Sequence, residues 1–303
     1  MDFKQMIHNL EVPKHAVDVV LDTDAGNETD DLYAIAYLLR SSDKLHTKAI
    51  YAAPYFNSRS ISPEDGMERS YEEVLKLLSM LRQRVEVFKG SGGYLPDENT
   101  FVESPAARDL VRRAAEYSPE HPLYVVAIGA VTNVASALLM DPGIAENIVI
   151  VWLGGNALHY MDNREFNMKQ DIAAARVVMG SKAPFVHIPA YGVITEFRIS
   201  GPELETWLCG KGELADYLAG RTLSLMEGIF PNRPWTHVVC DVVAVAWLLN
   251  EDDCFMSSRV ISTQLPSYDH LYEEEAIEKQ MRYVYFVKRD ALMQDMIQKL
   301  ACE

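Results

Sequence analysis

The sequence has few cysteines and no pairing pattern among them. Only four of its 303 residues are Cys, at positions 209, 240, 254 and 302, and no two form a C-x-x-C pair. This spacing excludes the usual zinc ribbons and dithiol redox centres. We interpret all four as free thiols, which fits a chain that works in the reducing cytoplasm.

The chain also lacks long apolar runs and clusters of positive charge. No stretch reaches the roughly 18 apolar residues of a membrane span, and residues 1–14 lack the apolar core of a signal peptide. Lys and Arg number 28 against 44 Asp and Glu, so the formal net charge is −16. The electrostatic footprint of a nucleic-acid binder is therefore missing. We expect no nucleic acid and no membrane among the partners, but cations and small ligands.

Hydrophobic residues make up 49% of the chain, enough to bury a substantial core. Because no repeat, low-complexity tract or long linker divides the sequence, we predict a single domain over residues 1–303. Short apolar runs alternate with helical patterns, which is typical of an α/β fold whose mostly parallel central sheet carries helices on both faces. The predicted strands are Val17–Asp22, Lys48–Ala52, Val85–Lys89, Leu123–Ile128, Ile148–Leu153 and Phe185–Ile188, with two more at Met256–Thr263 and Met281–Val287. The predicted helices lie near 31–41, 64–82, 104–116, 132–140, 170–180, 213–227 and 240–249.

The segment VVLDTDAGNETDD, residues 19–31, carries the strongest chemical signal. An apolar strand ends in five acidic residues, and a helical pattern follows at once. Asn27 or Thr29 can cap that helix, with Asp30 and Asp31 in its first turn, where the helix dipole favours negative charge. Capping alone does not explain five acids. Burying several carboxylates without a counter-charge is costly, so the pattern predicts a hard divalent cation, Ca²⁺ or Mg²⁺, held by oxygen ligands.

Two enzyme classes place Asp-x-Asp at the end of a first strand. Haloacid dehalogenase-like phosphotransferases continue with Gly-Thr and an apolar residue, whereas this chain continues with Ala-Gly-Asn-Glu at 25–28. The alternative is the nucleoside hydrolase family, whose Asp-x-Asp-Pro-Gly-x-Asp-Asp fingerprint the segment resembles in a longer form. Further segments resemble family motifs in the same order: APYFN at 53–57, AIGAVTNVA at 127–135, WLGGN at 152–156, EFN at 165–167 and CDVVAVA at 240–246.

The resemblance implies a calcium-dependent N-ribohydrolase. Calcium would be held by Asp24, Asp31, Asp241 and the carbonyl of Ile128, and a metal-bound water would attack the N-glycosidic bond. Asp30 would accept the proton of that water as general base. The oxocarbenium-like transition state would be stabilised by the nearby carboxylates.

The resemblance also implies which residues hold the sugar and where this chain departs from its family. Residues expected at the ribose are Asn57, Asn156, Asn163, Glu165 and Asn167. Inosine-uridine-preferring relatives place His before the last Asp, to activate the leaving base, and purine-selective relatives place Trp there, but this chain has Cys240. His237, as an acid, and Trp235, as a stacking face, are the candidates to replace that function.

The leading hypothesis is hydrolysis of a ribonucleoside to ribose and free base, with Ca²⁺ as cofactor. Two alternatives remain open: a Mg²⁺-dependent haloacid dehalogenase-like phosphotransferase, and a catalytically weak relative that binds a ribosyl ligand or calcium. The family further implies a homodimer or homotetramer. The sequence leaves the base preference open.

Overall fold

A computed structural model describes residues 1–301 of the chain. Its centre is a sheet of eight strands, and a separate two-stranded pair lies outside it. The strands, in chain order, are β1 (Val17–Thr23), β2 (Leu45–Ala52), β3 (Glu86–Lys89), β4 (Leu123–Ala127), β5 (Ile148–Leu153), β6 (Phe185–Ile188), β7 (Arg198–Ser200), β8 (Thr236–Val238), β9 (Met256–Ser262) and β10 (Gln280–Val287).

The central sheet has the order β3-β2-β1-β4-β5-β6-β10-β9. Every neighbouring pair is parallel except β10 and β9, which are antiparallel. The helices are α1 (Phe3–Asn9), α2 (Asp30–Leu39), α3 (Pro63–Met80), α4 (Pro105–Ala114), α5 (Thr132–Met140), α6 (Phe166–Gln170), α7 (Ile172–Gly180), α8 (Gly201–Trp207), α9 (Glu213–Ile229), α10 (Asp241–Trp247) and α11 (Arg289–Leu300). The predicted α/β class with a mostly parallel sheet is confirmed.

Both faces of the sheet are covered, which explains why its strands are continuously apolar. Val19 and Leu21 of β1 belong to a core layer that includes α2 and α10, whereas Val20 belongs to the layer with α4, α5 and α7. All three side chains have no exposed surface. Burying a side chain of this size stabilises the fold by about 1.5–3 kcal/mol. The eight strands of the central sheet lie between residues 17 and 287. The assignment of a single domain over 1–303 stays a prediction.

The structure differs from the predicted elements at one helix boundary and in several short elements. The predicted helix 170–180 begins instead at Ile172, because Asp171 leaves helical geometry and its carboxylate accepts the N–H of Ala174 at 2.9 Å. The separate short helix α6 precedes it. The pair β7–β8 and the helices α1 and α8 were not expected, since three-residue strands and seven-residue helices carry too little periodicity to detect.

The topology brings the candidate site residues to one edge of the sheet. Parallel strands present their carboxyl ends together, so the segments after β1, β2, β4, β5 and β6 meet at that edge. Helices α2 and α10 pack against each other, and both begin there. Within residues 1–301, no helix combines the length and apolarity that a membrane crossing requires.

Candidate active site

A cavity of about 320 Å³ opens at the carboxyl edge of the sheet. Its lining includes the four carboxylates Asp24, Asp30, Asp31 and Asp241, with Cys240 beside them. A larger cleft of about 690 Å³ lies at the opposite edge, where His15 and Pro122 precede β1 and β4. We assign the chemistry to the smaller cavity because it holds the converging carboxylates.

The first turn of α2 supplies two of the four carboxylates. Asp30 and Asp31 are its first two residues, at 6% and 2% exposure, where free N–H groups and the helix dipole favour negative charge. Asp31 Oδ1 accepts the hydroxyl of Thr23 at 2.5 Å. Of the two expected caps, Thr29 occupies the N-cap position of α2 and Asn27 does not. Thr29 stands at the cap position without a side-chain cap bond, and Asn27 Nδ2 donates to Asp24 Oδ2 at 3.1 Å.

Asp241 reaches the same cavity from the other end of the chain. It is the first residue of α10, so the two helix starts face each other. Cys240, directly before it, donates from Sγ to Asp30 Oδ2 at 3.2 Å and lies 4.0 Å from Asp241 Oδ1. The ligand atoms of these three residues all lie within 4.8 Å of one another.

Burial and mutual repulsion disfavour the ionised forms of the carboxylates. Burial is the main cause that raises the pKa of Asp30 to about 7, and the charge of Glu28 adds to it. The pKa values of Asp24, Asp31 and Asp241 are raised well above the ordinary range, first by burial and then by the other acids. The four groups thus require either protons or a cation.

No basic side chain of residues 1–301 supplies that cation. The ion pairs nearest the cavity join Arg59 to Glu28 at 3.5 Å and Arg164 to Asp162 at 3.4 Å, and neither engages the four carboxylates. Several buried oxygens and one carbonyl are the donor set that hard divalent ions prefer. The residues therefore fit a bound metal ion.

Ile128 and Gly129 complete this wall of the cavity. Ile128 lines the cavity directly after β4, and its carbonyl accepts Asn167 Nδ2 at 3.0 Å. A Cβ atom on Gly129 would stand 3.0 Å from Asp24 Oδ1, so a larger residue here would push the carboxylate aside. The predicted ligands Asp24, Asp31, Asp241 and Ile128 thus share one cavity.

Three of the predicted sugar-binding residues line the cavity as well. The carboxylate of Glu165 accepts the N–H groups of Gly155, Asn167 and Met168 at 2.7–2.9 Å. Burial raises the pKa of Glu165, and these backbone bonds oppose the rise. Asn167 donates Nδ2 to the carbonyls of Ile128 and Leu153, which leaves its oxygen available. Asn57 is held through Nδ2, which donates to Asn27 Oδ1 at 2.6 Å.

Asn156 and Asn163, also predicted at the sugar, hold the loop after β5 together. Asn163 Oδ1 accepts the Asn156 N–H at 2.8 Å, and Asn156 Nδ2 donates to the carbonyl of Asp162 at 3.0 Å. Both side chains are 1% exposed and lie behind the cavity lining. These bonds stabilise the loop, and a contact of Asn156 or Asn163 with the sugar stays a prediction.

His237 and Trp235 likewise lie outside the cavity lining. Nε2 of His237 is 2.8 Å from the hydroxyl of Thr29, and burial, helped by the charges of Arg198 and Arg59, lowers the pKa of His237 to about 4. The imidazole is therefore neutral near pH 7, which does not favour the role of acid. The half-buried Trp235 packs against Gly201 at the start of α8 and against the core, and its role as a stacking face stays a prediction.

Part of the cavity wall consists of residues that the sequence did not indicate. Tyr191 and Thr195 reach it from the loop after β6, and Arg164 and Lys169 flank the predicted Glu165 and Asn167. The rule that ligands bind after parallel strands pointed to the β6 loop. No motif in that loop identified individual residues. Free thiols are confirmed at Cys209, Cys240 and Cys254, and Cys302 lies outside the described residues.

The fold and the cavity define an α/β protein with an acidic pocket at the carboxyl edge of its sheet, whose residues fit a metal ion. The sequence profile of the inosine-uridine preferring nucleoside hydrolase family matches residues 19–286. The chain therefore belongs to the nucleoside hydrolase family, whose members are metal-dependent hydrolases that act on N-glycosyl bonds of ribonucleosides. This family match excludes the alternative of a haloacid dehalogenase-like phosphotransferase.

Individual relatives agree with this assignment. The chain is 28% identical to the pyrimidine-specific ribonucleoside hydrolase RihA of Citrobacter koseri over 265 residues, which cover 78% of this chain and 80% of the relative. Its fold is similar to that of a purine-preferring ribonucleoside hydrolase from Gardnerella vaginalis, with a TM-score of 0.75, 19% identity, and coverage of 94% and 98%. The fold is also similar to that of an inosine-guanosine nucleoside hydrolase, with a TM-score of 0.75 and 18% identity. The match covers 95% of this chain and 99% of that one. These two structural similarities show the fold alone.

Proposed function

We propose that the protein is a calcium-dependent ribonucleoside hydrolase that releases ribose and free base. The observation that carries this proposal is the convergence of Asp24, Asp30, Asp31 and Asp241 on one cavity without a basic partner in residues 1–301. Asp24, Asp31, Asp241 and the Ile128 carbonyl are the proposed calcium ligands. When bound, Ca²⁺ would supply a positive centre that positions the sugar diol and a water molecule.

The chain's own residues perform the remaining steps of the proposal. Asp30 accepts the proton of the attacking water. Glu165, Asn167 and Asn57 hydrogen-bond the ribose hydroxyls and fix the sugar, so that its reaction with water becomes effectively intramolecular. The buried negative charges stabilise the positive charge that grows on the ribose as the C–N bond breaks.

One relative is pyrimidine-specific and another is purine-preferring, so the assay includes both base classes. A panel of purine and pyrimidine ribonucleosides is assayed for reducing sugar on chelated protein, before and after Ca²⁺ is restored. We expect turnover only with the metal, and loss of turnover in Asp30→Ala. Wild-type turnover by Asp30→Ala would refute the assignment of the base. Tight nucleoside binding with no turnover by the wild type would favour the catalytically weak relative.

Two further expectations rest on the family resemblance and the cysteine usage. A homodimer or homotetramer is proposed, and light scattering on the eluting protein measures its mass. A cytoplasmic location is proposed as well, and fractionation of the source cells tests it.

A further inference from the structure

Cys240 contributes a sulfur atom that the proposed mechanism does not use. Its Sγ lies 3.2 Å from Asp30 Oδ2 and 4.0 Å from Asp241 Oδ1, and the three ligand atoms fall within 4.8 Å of one another. Atoms that bind Zn²⁺ directly lie about 2.0–2.3 Å from the ion, so small side-chain movements would let all three reach one cation. The sulfur sits at the start of α10 and lines the cavity.

The carboxylate of Asp241 gives an independent indication of a cation. It is 4% exposed and faces the cavity, yet within residues 1–301 no N–H or O–H group donates to it. The Cys240 thiol approaches Asp241 Oδ1 at 4.0 Å, the long limit for a weak hydrogen bond from sulfur. A buried carboxylate in this situation is costly unless a cation or a proton satisfies it.

We propose that Asp30, Cys240 and Asp241 form a binding site for a soft divalent cation, Zn²⁺ or Cd²⁺, with Cys240 Sγ as a ligand. Thiolate ligands favour these ions, whereas carboxylate and carbonyl oxygens suit Ca²⁺. Binding breaks the S–H bond and forms a metal–sulfur bond, the proton passes to solvent, and no atom changes its oxidation state. The same cavity thus binds Ca²⁺ through oxygen ligands and binds Zn²⁺ or Cd²⁺ through Asp30, Cys240 and Asp241.

Binding of a soft ion at the triad should inhibit catalysis. This expectation rests on the proposed function. Because Asp30 is both a member of the triad and the proposed base, a soft ion at the triad occupies the group that must accept the proton. Zn²⁺ and Cd²⁺ should therefore inhibit the calcium-loaded enzyme. The binding site itself does not depend on nucleoside hydrolysis, and it is tested without substrate.

The test is a Cd²⁺ titration of chelated full-length protein, followed by ultraviolet absorption. A background variant carries Cys209→Ser, Cys254→Ser and Cys302→Ser, so that Cys240 is its single thiol. We expect a sulfur-to-cadmium charge-transfer band that saturates at one equivalent and disappears when Cys240→Ser is added. Affinity for Zn²⁺, measured by competition with a chelator, should fall about 10- to 100-fold with Cys240→Ser. Affinity for Ca²⁺ should stay within a factor of about three.

Two results would overturn the proposal. One is Cd²⁺ binding to the background variant without the charge-transfer band, and the other is equal Zn²⁺ affinity with and without Cys240. If Cys240→Ser fails to fold, the cadmium-113 resonance of the background variant decides the question, since Cys240 is its single thiol and a sulfur ligand moves the resonance downfield of the oxygen-only range. A resonance in the oxygen-only range would rule out Cys240 as a ligand. Nucleoside turnover with Ca²⁺, assayed separately, shows whether the proposed function has failed.

Discussion

Asp30 and Cys240 are separated by 210 positions in the chain, yet Sγ of Cys240 donates to Asp30 Oδ2 at 3.2 Å. This contact joins the first turn of α2 to the residue that precedes α10. Because Asp31 and Asp241 are the adjacent residues, the same meeting of helix ends brings carboxylates from both ends of the sequence into one cavity. The site therefore exists only in the folded chain, which couples metal binding to stability.

Calcium should stabilise the protein more at pH 8 than at pH 5.5. Burial raises the pKa of Asp30 from 3.8 to about 7, so the folded apo protein keeps a proton that the unfolded chain has lost above about pH 4. The free energy of unfolding of the chelated protein therefore receives a contribution that falls as pH rises from about 4 to about 7. Ca²⁺ needs the ionised carboxylates, so its stabilising effect grows across the same window.

The measurement is the increase in unfolding temperature on adding Ca²⁺ to chelated protein at the two pH values. Sodium chloride of the same ionic strength is the control for general screening. An equal increase at both pH values would contradict protonation of the carboxylate cluster in the apo protein.

Glu165→Gln should weaken both the fold and substrate binding. The carboxylate accepts three backbone N–H groups, whereas the amide offers a single acceptor oxygen. We expect the free energy of unfolding to fall by about 1–3 kcal/mol, and KM for a turned-over nucleoside to rise. Denaturant unfolding and steady-state kinetics measure the two effects. Glu274→Gln at an exposed position is the matched control, and identical behaviour of the two variants would count against the assigned role of Glu165.

Asn133→Ala should destabilise the strand ends beneath the cavity. Asn133 Nδ2 donates to Asp22 Oδ1 at 2.7 Å, and Asn133 Oδ1 accepts the N–H of Ser91 at 2.7 Å. The change leaves the fully buried Asp22 without its donor, so we expect a loss of about 3 kcal/mol in the free energy of unfolding. Chemical denaturation measures it, with the exposed Asn99→Ala as control. A loss no larger than in the control would show that this network contributes little.

The central sheet and the acidic residues at the start of α2 were predictable because each shows a local pattern in the sequence. The continuous apolar runs of β1 and β4 follow from burial on both faces, and the acids at the start of α2 follow directly in the chain. Asp241, far away in sequence, was accessible only through resemblance to a family motif. No periodicity or spacing indicates that α2 and α10 begin side by side.

The substrate side was less predictable because polar side chains serve loops as readily as ligands. Asn156 and Glu165 looked alike as candidates, but Asn156 fastens the loop after β5 and Glu165 lines the cavity. The choice depends on which backbone groups each loop leaves unpaired, and this is a property of the folded structure. The surroundings of His237 were unpredictable for a similar reason, because its partner Thr29 lies 208 positions away.

The most direct test of the account is calorimetric Ca²⁺ binding to chelated wild type and to Asp241→Asn, with Asp43→Asn as an exposed control. If carboxylates from the two ends of the chain hold one ion, the wild type and the control bind one Ca²⁺ per chain. Asp241→Asn should then lose at least about 100-fold in affinity. Unchanged Ca²⁺ affinity in folded Asp241→Asn would contradict the proposed metal site and the mechanism built on it.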